Sequence, residues 1–157
     1  MGNPKCTLPE AEREQVFRWF DGQRTQEQED RVGEIQELLA AHGARKVMMD
    51  YTENGKVEAV TFGLMLNGTL AGFRIDARPA GVTAVMKKDG VKCDAAQAER
   101  IAWRNVKDWI AAQIALVETE QATMEQVFLP YLLDREKTLY QKMMESGYAP
   151  PLLRGDM

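Results

Sequence analysis

Apolar positions along this chain follow two periods, helical on both sides of a central stretch and strand-like within it. Val32, Ile35, Leu38 and Leu39 recur at helical spacing as far as His42-Gly43, where a glycine can take the left-handed backbone that closes a helix. From Arg45 the period becomes two. Arg45 to Thr52 puts Val47, Met49 and Tyr51 on one face. Lys56 to Leu66 does the same with Val60, Phe62, Leu64 and Leu66, and Thr69 to Asp76 with Ala71, Phe73 and Ile75. Glu53-Asn54-Gly55 reads as a turn. Asn67-Gly68 is a strong hairpin signal, because a type I′ turn needs positive φ at both central residues. The pattern predicts a three-stranded antiparallel meander.

Helical periodicity flanks the meander and carries its own start and stop signals. Thr7 to Glu10, Thr25 to Gln28 and Thr123 to Gln126 each place Thr three residues before Glu or Gln, the spacing of a capping box. The first helix is expected from Leu8 to Phe20, followed by a polar, Gln-rich stretch, Asp21 to Asp30, that opens as a loop. Pro79 fits a first helical turn, with Ala80 to Lys88 behind it and Asp89-Gly90 as its end. Asp94 is placed to cap a long helix from Ala95 to Glu118. The helix opened by Thr123 runs into Pro130 and should break there. Asp134 reads as the cap of a last helix, with Leu139, Tyr140, Met143 and Met144 on one face before Gly147. The expected fold class is α+β: a three-stranded antiparallel meander with N-terminal helices and a long C-terminal helix packed on one face. Residues 1–147 form one domain and 148–157 an extended tail.

The long helix has two unlike faces. Ala95, Ala98, Ala102, Val106, Trp109, Ile110, Gln113, Leu116 and Val117 form an apolar stripe, which Trp103 and Ile114 widen. Arg100, Arg104 and Lys107 lie opposite. One reading is a core stripe backed by a solvated face, in which Arg104 and Asp108 form an ordinary i,i+4 pair. The other is a cationic ridge that meets phosphates, with Trp103 at its edge to stack on a base. The segment Val127 to Leu133 is very apolar. It either packs back on the domain or forms an interface, and Phe128 and Tyr131 are its aromatic candidates.

Charge and composition narrow the chemistry. Twenty basic and 24 acidic residues among 157 give a net charge of -4, which excludes a strongly cationic nucleic-acid coat. Two cysteines, Cys6 and Cys93, and a single histidine, His42, are too few for a zinc knuckle or a disulfide framework. Met1 to Lys5 is not followed by an apolar run of signal-peptide length, so a cytoplasmic protein is expected. No phosphate-binding glycine loop is present, and no cofactor is implied. His42, at a helix end, reads as a dipole-stabilising cation rather than a catalytic base. Cys6 lies near a helix start and reads as an exposed thiol, Cys93 as a half-buried one. Asp50, Glu53, Glu58 and Asp76 lie on the strands or their turn, where carboxylates that converge could hold a divalent metal. The preferred reading is a solvated outer sheet face on which Arg74 and Lys46 neutralise part of the cluster.

The blocks Ala102-Trp103-Arg104, Lys107-Asp108-Trp109 and Val127-Phe128-Leu129-Pro130-Tyr131 resemble a pattern in small proteins of bacteriophages and mobile elements. That resemblance, over the C-terminal half, implies a context in which proteins of this size bind a host factor or handle nucleic acid. The function expected from it is a non-catalytic interaction protein that binds, and in some settings inhibits, a host or defence protein. The alternative is an accessory protein of phage DNA metabolism that binds single-stranded nucleic acid. A metal-dependent enzyme ranks last. The candidate binding residues are Arg100, Trp103, Arg104, Lys107, Phe128 and Tyr131. A protein partner is expected first, nucleic acid and a second copy of the chain after it, and no membrane.

Overall fold

The computed structural model describes residues 26–150, with side chains from Arg31 onward. The helix expected at Leu8 to Phe20, the caps Thr7 and Thr25, Cys6 and the end of the expected tail lie outside the described residues. The elements are α1 (Gln26–Ala41), β1 (Lys46–Tyr51), β2 (Val57–Leu66), β3 (Thr69–Asp76), α2 (Pro79–Lys88) and α3 (Ala95–Glu118). After these come α4 (Met124–Phe128), a 3-10 turn (Leu129–Tyr131), β4 (Leu133–Asp134), β5 (Lys137–Thr138) and α5 (Leu139–Glu145). The protein is α+β, as the periodicity predicts. α1 begins inside the stretch read as a loop, because Gln and Glu are good helix formers even where no apolar residue marks the face.

The described residues divide into two compact units, one of residues 26–37 and 77–111, the other of 38–76 and 112–150. The chain crosses between them three times: inside α1, inside α3, and at the connection between β3 and α2.

In the first unit α2 starts on Pro79 and closes at Asp89, whose N–H donates to the carbonyl of Val85, before Gly90 at φ 72°. Asp94 caps α3 by accepting the Gln97 N–H at 2.7 Å. Ile35, Met86, Ala98, Ile101, Ala102, Trp103 and Ile110 are buried. Three successive buried residues, Ile101 to Trp103, mean that more than half of the helix circumference is covered there.

The second unit holds the sheet, in the order β1-β2-β3. Register puts Val47 opposite Phe62 and Phe62 opposite Phe73, and Met49 opposite Val60 and Val60 opposite Ile75. The apolar sets of the three strands therefore share one face. Tyr51 departs from that phase: the β1–β2 register shifts between Asp50 and Tyr51, and the side chain ends 63% exposed. The β2–β3 turn is formed by Asn67 at φ 50° and Gly68 at φ 81°, the pair of positive values a type I′ turn demands.

Phe62 stacks on Phe73 at 5.6 Å between ring centres and receives Phe128 edge-on at 5.1 Å. All three rings are buried. Phe128 arrives at the end of α4, which Thr123 opens with the expected capping box and Pro130 ends in a single 3-10 turn. Leu132 then bridges to Phe73 at the free edge of β3, and Leu133 lies over Gly72, where a β-carbon would stand 3.6 Å from its Cδ1. The apolar segment 127–133 thus packs back on its own unit.

The hairpin β4–β5 was not foreseen from sequence, and Asp134 is a strand residue rather than a helix cap. The cap of α5 is Thr138, whose hydroxyl accepts the Gln141 N–H while the Gln141 side chain accepts the Thr138 N–H. The turn hides because Arg135, not Gly or Asn, takes the left-handed conformation, at φ 64°.

Truncating the central ring removes both aromatic contacts at once. Phe62→Ala should cost about 3–5 kcal/mol of unfolding free energy, read as a lower urea midpoint with the slope unchanged.

Candidate functional site

The strongest candidate surface is on α5. A seven-residue helix has little stability of its own, and this one is held by its neighbours. Lys142 of α5 pairs with Asp134 of β4, and Lys137 of β5 pairs with Glu145 of α5 at 2.6 Å. The ammonium of Lys142 holds the Asp134 carboxyl below the usual carboxylate range. The Leu139 N–H donates to the Leu132 carbonyl at 2.8 Å. Fastened in this way, α5 presents Tyr140, Met143 and Met144 to solvent at i, i+3 and i+4, and Tyr148 continues the row beyond the helix. Tyr140 is 58% exposed and Met144 54%.

The cationic ridge of α3 is less available than its sequence suggests. Lys107 Nζ lies 2.9 Å from a Glu34 carboxylate oxygen of α1, and Arg104 Nε lies 4.0 Å from Asp108. Arg100 makes no ion pair among the described residues, and its Nε is buried without a hydrogen-bond partner. Two candidates are corrected outright. Trp103 and Phe128 are both 0% exposed and belong to the core, so neither ring can stack on a ligand without unpacking it. Trp103 lies at the edge of the apolar stripe, and its burial depends on packing partners that helical spacing does not reveal. Tyr131 is half-buried in the 3-10 turn.

The strand carboxylates gather on a guanidinium. Arg74 Nη1 donates to Asp50 at 3.0 Å and Nε to Asp76 at 2.9 Å, while Nη2 lies 3.5 Å from Glu58. Thr61 also donates to Asp50, at 2.8 Å. Glu53 stays exposed in its turn, outside this cluster. Among the described residues, no group of three or more His, Cys, Asp or Glu side chains is arranged to hold a metal ion.

His42 follows the last residue of α1 with its ring between two acceptors, the Leu38 carbonyl 2.7 Å from Nδ1 and Glu118 Oε1 2.6 Å from Nε2. Only the imidazolium can donate to both. The Leu38 carbonyl, and then Glu118, raise the His42 pKa above the ordinary 6.5, against a smaller opposing effect of burial. Cys93 is half-buried, and burial together with the adjacent Asp94 raises its thiol pKa, so it is a poor nucleophile at neutral pH.

Among the described residues no helix is long and apolar enough to cross a membrane. Comparison with protein-family models, curated proteins and solved structures finds no match.

Two measurements check these electrostatics. The raised His42 pKa means that the folded state holds its proton more tightly than the unfolded one. The stabilisation is therefore complete below the unfolded pKa and disappears as pH rises through the folded one. Glu118 is largely exposed, so the effect is small. His42→Gln should cost about 0.5–1 kcal/mol at about pH 6 and nothing measurable at about pH 9. Arg74→Met should cost about 1–2 kcal/mol at neutral pH, because three carboxylates then face one another across the strands.

Proposed function

We propose that this protein is a non-catalytic interaction protein that binds a protein partner through the exposed face of α5. The observation that carries the reading is the row of Tyr140, Met143 and Met144, large side chains left in solvent on an element fastened by two ion pairs and a capping box, with Tyr148 exposed just beyond it. Aromatic and methionine side chains are enriched in the buried centres of protein interfaces, and thioethers adapt their shape to a partner. A short helix already held in place loses little freedom on binding. The resemblance of the C-terminal blocks to small phage and mobile-element proteins makes a host or defence protein the partner class. The single-stranded nucleic-acid reading is weaker, because Arg104 and Lys107 face carboxylates and the Trp103 ring is buried.

The test compares the wild-type protein with a Tyr140→Ser/Met144→Ser variant as bait. Both changes are at exposed positions, so circular dichroism and the urea midpoint should hardly move. A partner retained by the wild type should be lost from the variant by at least about tenfold in affinity. Labelled single-stranded oligonucleotides titrated at low salt form the second arm. Salt-sensitive binding that Arg100→Glu abolishes and the α5 variant does not would overturn the proposal in favour of nucleic acid.

A further inference from the structure

The two edges of the sheet are treated differently. At the β3 edge the chain turns back and bridges Phe73 through Leu132. At the other edge β1 pairs only with β2, and among the described residues nothing is hydrogen-bonded to its outer side. Every side chain of β1 is exposed or half-exposed, with Met48 at 54%. An edge of this kind is a row of unpaired N–H and C=O groups ready to accept another strand.

We propose that the outer edge of β1 pairs, antiparallel and centred on Met48, with β1 of a second copy of this chain. The strand is complementary to itself. A two-fold axis perpendicular to the sheet places opposing residues on one side, so only registers that keep the phase bring the two apolar faces together. Registers centred on Met48 and on Met49 each pair five residues of β1, but the second relies on Tyr51, beyond the register shift, so the one centred on Met48 matches the most of the regular strand. Val47 lies opposite Met49 of the second copy, Met48 opposite Met48, and Lys46 opposite Asp50, each unlike pair occurring twice.

The charged pairs are ready for one another. Lys46 is exposed and has no ion-pair partner among the described residues. Asp50 accepts both of its hydrogen bonds, from Thr61 and Arg74, on Oδ2, which leaves Oδ1 for an incoming ammonium. The register shift between Asp50 and Tyr51 ends the regular ladder where this pairing ends. The product is a six-stranded sheet across two copies. Its contact is a single short strand pair, so the dimer is weak and concentration-dependent. β1 and α5 carry different residues, and either surface can fail without the other.

Light scattering on the full chain, across about 10–500 µM, reads the association directly. The expected result is a mass rising from monomer to dimer. Lys46→Glu should weaken the dimer about tenfold or more, because it sets two like-charge pairs across the axis. The register is tested by Met48→Cys in a chain with Cys6 and Cys93 replaced by Ser. Directly opposed residues of an antiparallel pair have Cα atoms about 4.5–5.5 Å apart, within disulfide reach, so mild oxidation should give a covalent dimer. The same chain with Met48 retained should give none. A monomer throughout the range overturns the proposal. So does a dimer that Lys46→Glu leaves intact and Met48→Cys fails to cross-link, or one that dissociates only when Tyr140 and Met144 are replaced.

Discussion

The second unit depends on the burial of Phe62 between Phe73 and Phe128. The stacked pair belongs to adjacent strands and forms once the meander closes. The edge-on ring comes from a segment far along the chain, and its docking fixes everything after it. With Phe128 seated, the 3-10 turn at Leu129–Tyr131 follows, Leu132 reaches the β3 edge, and Leu133 starts the hairpin that carries α5. The exposed tyrosine and methionine row is thus positioned by a buried phenylalanine rather than by any propensity of its own seven-residue helix.

Electrostatics on the sheet follow a similar economy of partners. The outer face of β1–β3 is acidic in sequence, yet Asp50, Glu58 and Asp76 converge on one guanidinium, and only one oxygen of Asp50 is engaged. Arg104 of α3 lies within reach of Asp108, the i,i+4 partner its spacing allows, and Lys107 meets Glu34 of α1. The net charge of -4 therefore does not accumulate as an acidic patch at these sites. Among the described residues, α5 leaves apolar side chains in solvent and β1 has no strand on its outer side.

Local signals were legible in the sequence, and signals that depend on pairing were not. The strand phases of Val47, Phe62 and Phe73, the Asn67-Gly68 turn, the Asp94 cap, the bounds of α3 and the break at Pro130 all follow from one residue's geometry or a short period. Tyr51 was misplaced because a register shift belongs to two strands and leaves no mark in either. Trp103 stayed open between core and stacking because helical spacing gives its angle on α3 but not what covers that angle; its burial settles it as core. The α5 site was half visible. Helical spacing gives its apolar face, and the Thr138-to-Gln141 capping box has the same spacing as the box at Thr123, with Asp134 a competing cap a few residues earlier. The eight-residue spacings from Asp134 to Lys142 and from Lys137 to Glu145 are the other signal that could have located the hairpin under it.

A lysine on an edge strand is ordinarily a guard, since it opposes the addition of further strands. In β1 that role is conditional. Lys46 and Asp50 are four residues apart, so an antiparallel strand placed over them must offer an acid and a base at the same separation and in the opposite order. An unrelated strand rarely does so and leaves Lys46 or the free oxygen of Asp50 unpaired as the edge is desolvated, which is unfavourable. A second β1 satisfies both by symmetry. The same two charges thus resist indiscriminate strand addition and admit one geometry, while Met48, between them on the axis, gives the pair apolar contact. The covered β3 edge needs no such device, because Leu132 already occupies it.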